Sequence, residues 1–179
     1  MAHNFENLQT YWGQDKKITD RFGLSLYDIA VLEQRHKIEF PDSFKDYLEM
    51  ICPIFHDDAV PDDYTDLDGL FDDDAYLWWN KDKLMEDQSW FKNCDPYMVG
   101  YHTKHVFLFA DFFLECVYYG VFCQIGDDFG KIVSTVNPEF VADDIYDFIK
   151  LRIEENQKDN NNEVAETIRN MNKKISQNS

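Results

Sequence analysis

The chain has 179 residues, enough for one domain with a substantial core, and its 15 Phe, 10 Tyr and 4 Trp make it unusually aromatic. A formal net charge of -18 argues against nucleic acid as a partner, because affinity for phosphate comes from Lys and Arg. No run approaches the twenty or so apolar residues that cross a bilayer, so no membrane association is expected.

The first fourteen residues, Met1 to Gln14, lack the basic flank and apolar run of a secretory signal, which predicts a cytoplasmic protein. Within them Phe5, Leu8 and Trp12 recur at helical spacing and predict a short helix ending at Gly13. A second helix is predicted after Ser25, where Asp28 completes a capping box and Leu26, Ile29, Leu32 and Glu33 follow at spacings of three and four. Phe40-Pro41 starts a third, with Phe44, Tyr47, Leu48 and Ile51 on its apolar face and Pro53 as its stop.

The segment from Asp57 to Asp74 comes next and reads as an exposed, loop-rich insertion. Nine of its eighteen residues are aspartate: Asp57, Asp58, Asp62, Asp63, Asp66, Asp68, Asp72, Asp73 and Asp74. It contains neither Lys nor Arg, and an acidic surface of this kind steers basic partners toward it. A solvated loop that binds nothing is the plainer reading of charge alone. Leu67, Leu70 and Phe71 could tack the segment onto the body. An EF-hand register around Gly69 would put Tyr64 first and Ala75 last, where acidic ligands are required, so that register fails.

An aromatic run, Tyr76 to Trp79, leads into a helix capped by Asn80 and bearing Leu84 and Met85, followed by Trp90 and Phe91. Trp78 is a candidate partner-binding residue, since Trp often anchors interfaces. Adjacent strand residues face opposite ways, which predicts one Trp in the core and the other partly exposed.

From Lys104 the pattern becomes extended. Val106 to Ala110 is continuously apolar, and Glu115 to Ile125 reads as a central strand covered on both faces. Gly126-Asp127-Asp128-Phe129-Gly130 makes a turn, and Lys131 to Val136 returns to complete a hairpin. A closing helix is predicted from Asp143, its N-cap, to Glu155, with Ile145, Phe148, Ile149, Arg152 and Ile153 giving the spacing. The domain therefore spans 1–155, and 156–179 reads as a polar tail.

Cys52, Cys94, Cys116 and Cys123 form no Cys-x-x-Cys pair and are expected to be reduced thiols. Cys116 and Cys123, seven apart on one strand, would face opposite ways. His102 and His105 lack a second pair to complete a zinc site, and Asp111 and Glu115 have no convergent group to make an acid–base pair. Neither metal nor cofactor is expected, and nothing points to catalysis.

The order of these pieces resembles the SUKH superfamily, whose members include fungal cell-wall-synthesis regulators and bacterial immunity proteins. The resemblance runs from Ile29-x-x-Leu32-Glu33 through Phe40-Pro41-x-x-Phe44-Lys45-x-Tyr47-Leu48. It resumes at Leu108-Phe109-Ala110-Asp111-Phe112-Phe113, then Tyr118-Tyr119-Gly120-Val121, the turn from Asp128 to Gly130, and Val141 to Ile149. One departure stands out: Ile51-Cys52-Pro53 replaces the family's usual Asn-Gly after the Pro-initiated helix, so the usual glycine turn cannot form there. The resemblance implies a single α+β domain, helices packed on a mainly antiparallel sheet. It also implies a non-catalytic immunity protein that binds and inhibits a basic toxin domain, often a nuclease. The alternative is a regulatory protein-binding scaffold like the fungal members.

Overall fold

The helix predicted after Ser25 is present as α1 (Leu26–His36) in a computed structural model, which describes residues 23–52, 69–71, 76–92, 103–112 and 115–159. Ser25 Oγ accepts from Asp28 N at 3.1 Å and donates to the Asp28 carboxylate at 2.8 Å. The helix ends at Lys37, which adopts a left-handed φ of 55°. From its last turn, Glu33 reaches the next helix: its carboxylate accepts from Phe40 N at 2.8 Å and pairs with Lys45 at 3.0 Å. That helix, α2 (Asp42–Met50), follows Pro41, whose carbonyl accepts from Phe44 N and Lys45 N.

A glycine upstream serves the end of α2. Gly23 N donates to Cys52 O at 3.0 Å and Leu24 N to Leu48 O at 2.7 Å, so the chain entering α1 meets carbonyls that the helix leaves unpaired. Gly23 has φ +97°, and a Cβ there would stand 2.1 Å from Glu49 O. The missing Asn-Gly is thus matched by a close approach that only glycine allows. Pro53 lies outside the described residues, as does the helix predicted near Phe5.

Among the described residues, six antiparallel strands follow in chain order: β1 (Gly69–Phe71), β2 (Tyr76–Trp79), β3 (Val106–Phe112), β4 (Val117–Phe122), β5 (Ile132–Ser134) and β6 (Asn137–Ala142). Each pairs with its neighbour in sequence, so β1 and β6 are the edges of the described sheet. Among the described residues between β2 and β3 are two short helices, α3 (Lys81–Leu84) and α4 (Ser89–Lys92), and Asn80 caps α3 through Lys83 N as expected. The fold is therefore α+β.

The predicted hairpin is β4–β5. Strand β6 was not anticipated, because Pro138 interrupts its sequence; at a sheet edge a missing N–H is tolerated. β1 lies inside the segment read as loop, paired through Leu70↔Trp78.

A bulge between Leu108 and Ala110 shifts the β3–β4 register. Phe107 and Phe109 pack on Phe44 of α2, with ring centroids 6.0 and 5.3 Å away. Helix α5 (Ile145–Asp159) closes this face, with Phe148 against Trp78 and Phe109. Its start is one residue later than predicted. Asp144, not Asp143, receives Asp147 N at 2.9 Å through its side chain and Phe148 N through its carbonyl. The helix also continues to Asp159, past the boundary expected at Glu155. Arg152 bonds the Tyr76 hydroxyl and lies over the Tyr76 and Phe148 rings, and Tyr146 Oη donates to Asp46 at 2.6 Å.

Candidate functional site

Trp78 is not a docking residue. It is 0% exposed, enclosed by Tyr47, Phe109 and Phe148. Trp79, on the opposite face, is also buried, at 2%. The expectation that one of the pair would reach solvent fails because β2 is covered on both faces. The nine aspartates from Asp57 to Asp74 all lie outside the described residues. What is described of their segment is β1, whose backbone is hydrogen-bonded to β2 and which Asp68 and Asp72 flank in sequence.

Asp111 is fully buried, accepting Trp79 Nε1 at 2.8 Å and the Glu115 N–H at 3.0 Å. The second bond ties Glu115, at φ 67°, to the end of β3 in the β3–β4 turn. His102 and Cys94 lie outside the described residues, and His105 ends a 3-10 turn, its carbonyl receiving Cys123 N at 2.7 Å. Cys52, Cys116 and Cys123 are thiols. Cys116 is exposed and Cys123 buried, and burial pushes the Cys123 thiol up to about 12. Among the described residues, no group of three or more His, Cys, Asp or Glu could hold a metal ion, and no helix is long and apolar enough to cross a membrane.

Sequence reasoning missed a cleft of about 280 Å³ on the face opposite Trp78, lined by residues from four elements. Trp79 of β2 forms its floor, Lys83 comes from α3, Trp90 from α4 and Tyr118 from β4. Trp90 is 50% exposed, and its ring lies 4.9 Å from Tyr118, which in turn stands edge-on to Trp79 at 6.1 Å. The three rings form one continuous aromatic wall.

Carboxylates rim it. Lys83 Nζ lies 5.6 Å from the Trp79 ring centre, 3.4 Å from Glu86 and 3.9 Å from Glu115. Asp87 completes the rim, its two oxygens receiving Ser89 N and Ser89 Oγ, which hold its carboxyl below the usual range. Burial and the adjacent Glu115 push the Tyr118 hydroxyl up to about 12, so it stays protonated. Three carboxylates thus face one ammonium. The signal in the sequence was an aromatic beside an acid, Asp87 near Trp90 and Glu115 near Tyr118, repeated about thirty residues apart.

A wider cleft of about 600 Å³ lies between the end of α1 and the β4–β5 turn. It mixes Lys37 with Glu33 and Glu39, and Glu33 is already held by Phe40 N and Lys45. It has no aromatic wall, and the smaller cleft is the better candidate. Comparison with models of known protein families and with curated proteins found no match.

Proposed function

We propose that this chain is a non-catalytic, cytoplasmic immunity protein that binds a basic toxin domain, nuclease in type, and inhibits it by covering its phosphate-binding cleft. One observation carries the reading. The chain holds an acidic excess of -18, and half of it is concentrated in an eighteen-residue segment containing a strand hydrogen-bonded to the sheet edge. A nuclease must display Lys and Arg to hold phosphate, and an anionic segment matches that surface. The SUKH-like order of motifs supports the same reading.

The test is kinetic. The chain, used as bait in its own lysate, should recover a basic nuclease domain whose activity falls as the chain is added in stoichiometric amount. Binding of that domain, followed at rising salt, should show an association rate that drops roughly tenfold or more while dissociation changes little. An association rate indifferent to salt removes the acidic segment as the steering element. Recovery of signalling proteins with no inhibited activity favours the scaffold reading instead.

A further inference from the structure

We propose that the cleft walled by Trp79, Trp90 and Tyr118 receives one arginine side chain of the partner. This rests on the partner being basic, and on nothing else about it. Charge supplies the first reason: among the residues that line the cleft, Glu86, Asp87 and Glu115 outnumber Lys83 by two charges beside an apolar wall. Size supplies the second. At about 280 Å³ the cleft falls just under the roughly 300–1,000 Å³ of small-molecule sites and suits a single side chain.

Lys83 shows how the site treats a cation, setting its ammonium over the Trp79 ring and within 4 Å of two carboxylates. A second cation meets the half-exposed ring of Trp90 beside Tyr118. Those rings touch at 4.9 Å and cannot act as two jaws, so the ligand must stack against one face. A guanidinium is flat and weakly hydrated, stacks on aromatic faces, and presents N–H pairs along its edge. An ammonium offers neither the plane nor the fork. Glu86 and Glu115, each more than half exposed, can turn an oxygen to that edge. Asp87, with both oxygens engaged by Ser89, contributes a fixed charge.

The full chain, labelled with nitrogen-15, is titrated with N-acetyl-arginine amide while the Trp indole N–H resonances are followed by NMR. The neutral isostere N-acetyl-citrulline amide and N-acetyl-lysine amide serve as controls. Saturable shifts of the Trp79 and Trp90 indoles are expected, with the Trp78 indole unmoved. Citrulline and lysine should bind at least roughly fivefold more weakly, the scale of one cation–π contact. Trp90→Leu and the double change Glu86→Gln with Glu115→Gln should each weaken arginine by a similar factor, with the Trp78 resonance reporting that the core is intact. Absence of saturation, equal binding of citrulline, equal binding of lysine, or shifts that survive in Trp90→Leu would each overturn the assignment. Salt-independent partner association with arginine binding intact would remove the steering role and leave the cleft standing; the reverse result would remove the cleft alone.

Discussion

Where β3 runs past the end of β2, the side chain of Gln88 stands in for the missing strand. Its amide donates to Leu108 O at 3.0 Å and accepts from Leu108 N at 2.9 Å, both in buried surroundings. Gln88→Leu should leave both backbone groups unpaired and cost about 2–6 kcal/mol, since each buried orphan costs roughly 1–3 kcal/mol. Urea denaturation measures this, and a loss near zero would show that water or a neighbour replaces the amide.

His36 gives a second prediction at this scale. Its Nε2–H donates to Leu84 O at 3.0 Å, and its ring meets Phe107 edge-on. Burial lowers its pKa below the ordinary 6.5; Lys92 and Arg35 push the same way, while Leu84 O and Asp87 oppose. Between the lowered folded value and 6.5 the unfolded chain binds more protons, so stability falls as pH drops through that window. The loss should be at most about 1.4 kcal/mol per pH unit. It precedes carboxylate titration near about 4. His36→Gln should flatten the dependence of urea midpoint on pH between about 7.5 and 5.5; an unchanged slope would assign the effect to other groups. Trp78 carries the opposite lesson about reading residues singly. Strand alternation tells which residues share a face, but whether that face meets water depends on helices α2 and α5, far away in sequence.

Among elements, those with their own punctuation were readable from the chain: α1 from its capping box, α2 from Pro41, the β4–β5 hairpin from its glycines. Elements that owe their form to distant neighbours were not. β6 carries a proline and becomes a strand because β5 lies beside it, and β1 is three residues long. The cleft was illegible for the same reason, since Trp79 and Tyr118 lie 39 positions apart until the sheet joins them. The end of α2 is likewise set by a residue upstream of α1. Gly23→Ala should be costly twice over, through left-handed backbone (about 1–3 kcal/mol) and through contact with Glu49 O. Thermal unfolding should show a drop of at least about 4 °C. An unchanged midpoint would mean that the chain before Leu24 is not held against α2.

For the molecule as a whole, a charge of -18 makes salt act in two directions. Self-repulsion opposes the compact state, and the Debye length shortens from about 30 Å at 0.01 M to about 10 Å at 0.1 M. Added sodium chloride should therefore raise the melting temperature of the isolated chain while slowing capture of a basic partner. Scanning calorimetry and stopped-flow mixing read the two effects separately. A melting temperature that falls with salt would mean that specific ion pairs, such as Lys81–Asp28 and Lys45–Glu33, outweigh the general repulsion.

The six described strands pair with their neighbours in sequence, yet Phe44 and Tyr47 are capped by Phe109, and Trp78 by Phe148. On the ribosome the two helices emerge before Trp78, Phe109 and Phe148, and β3 follows some sixty residues later. At about 5–20 residues per second, Phe44 and Tyr47 wait roughly 3–12 s for Phe109 in every round of translation. The nascent chain is then a natural client for a holding chaperone, and a messenger truncated ahead of β3 would yield an aggregate.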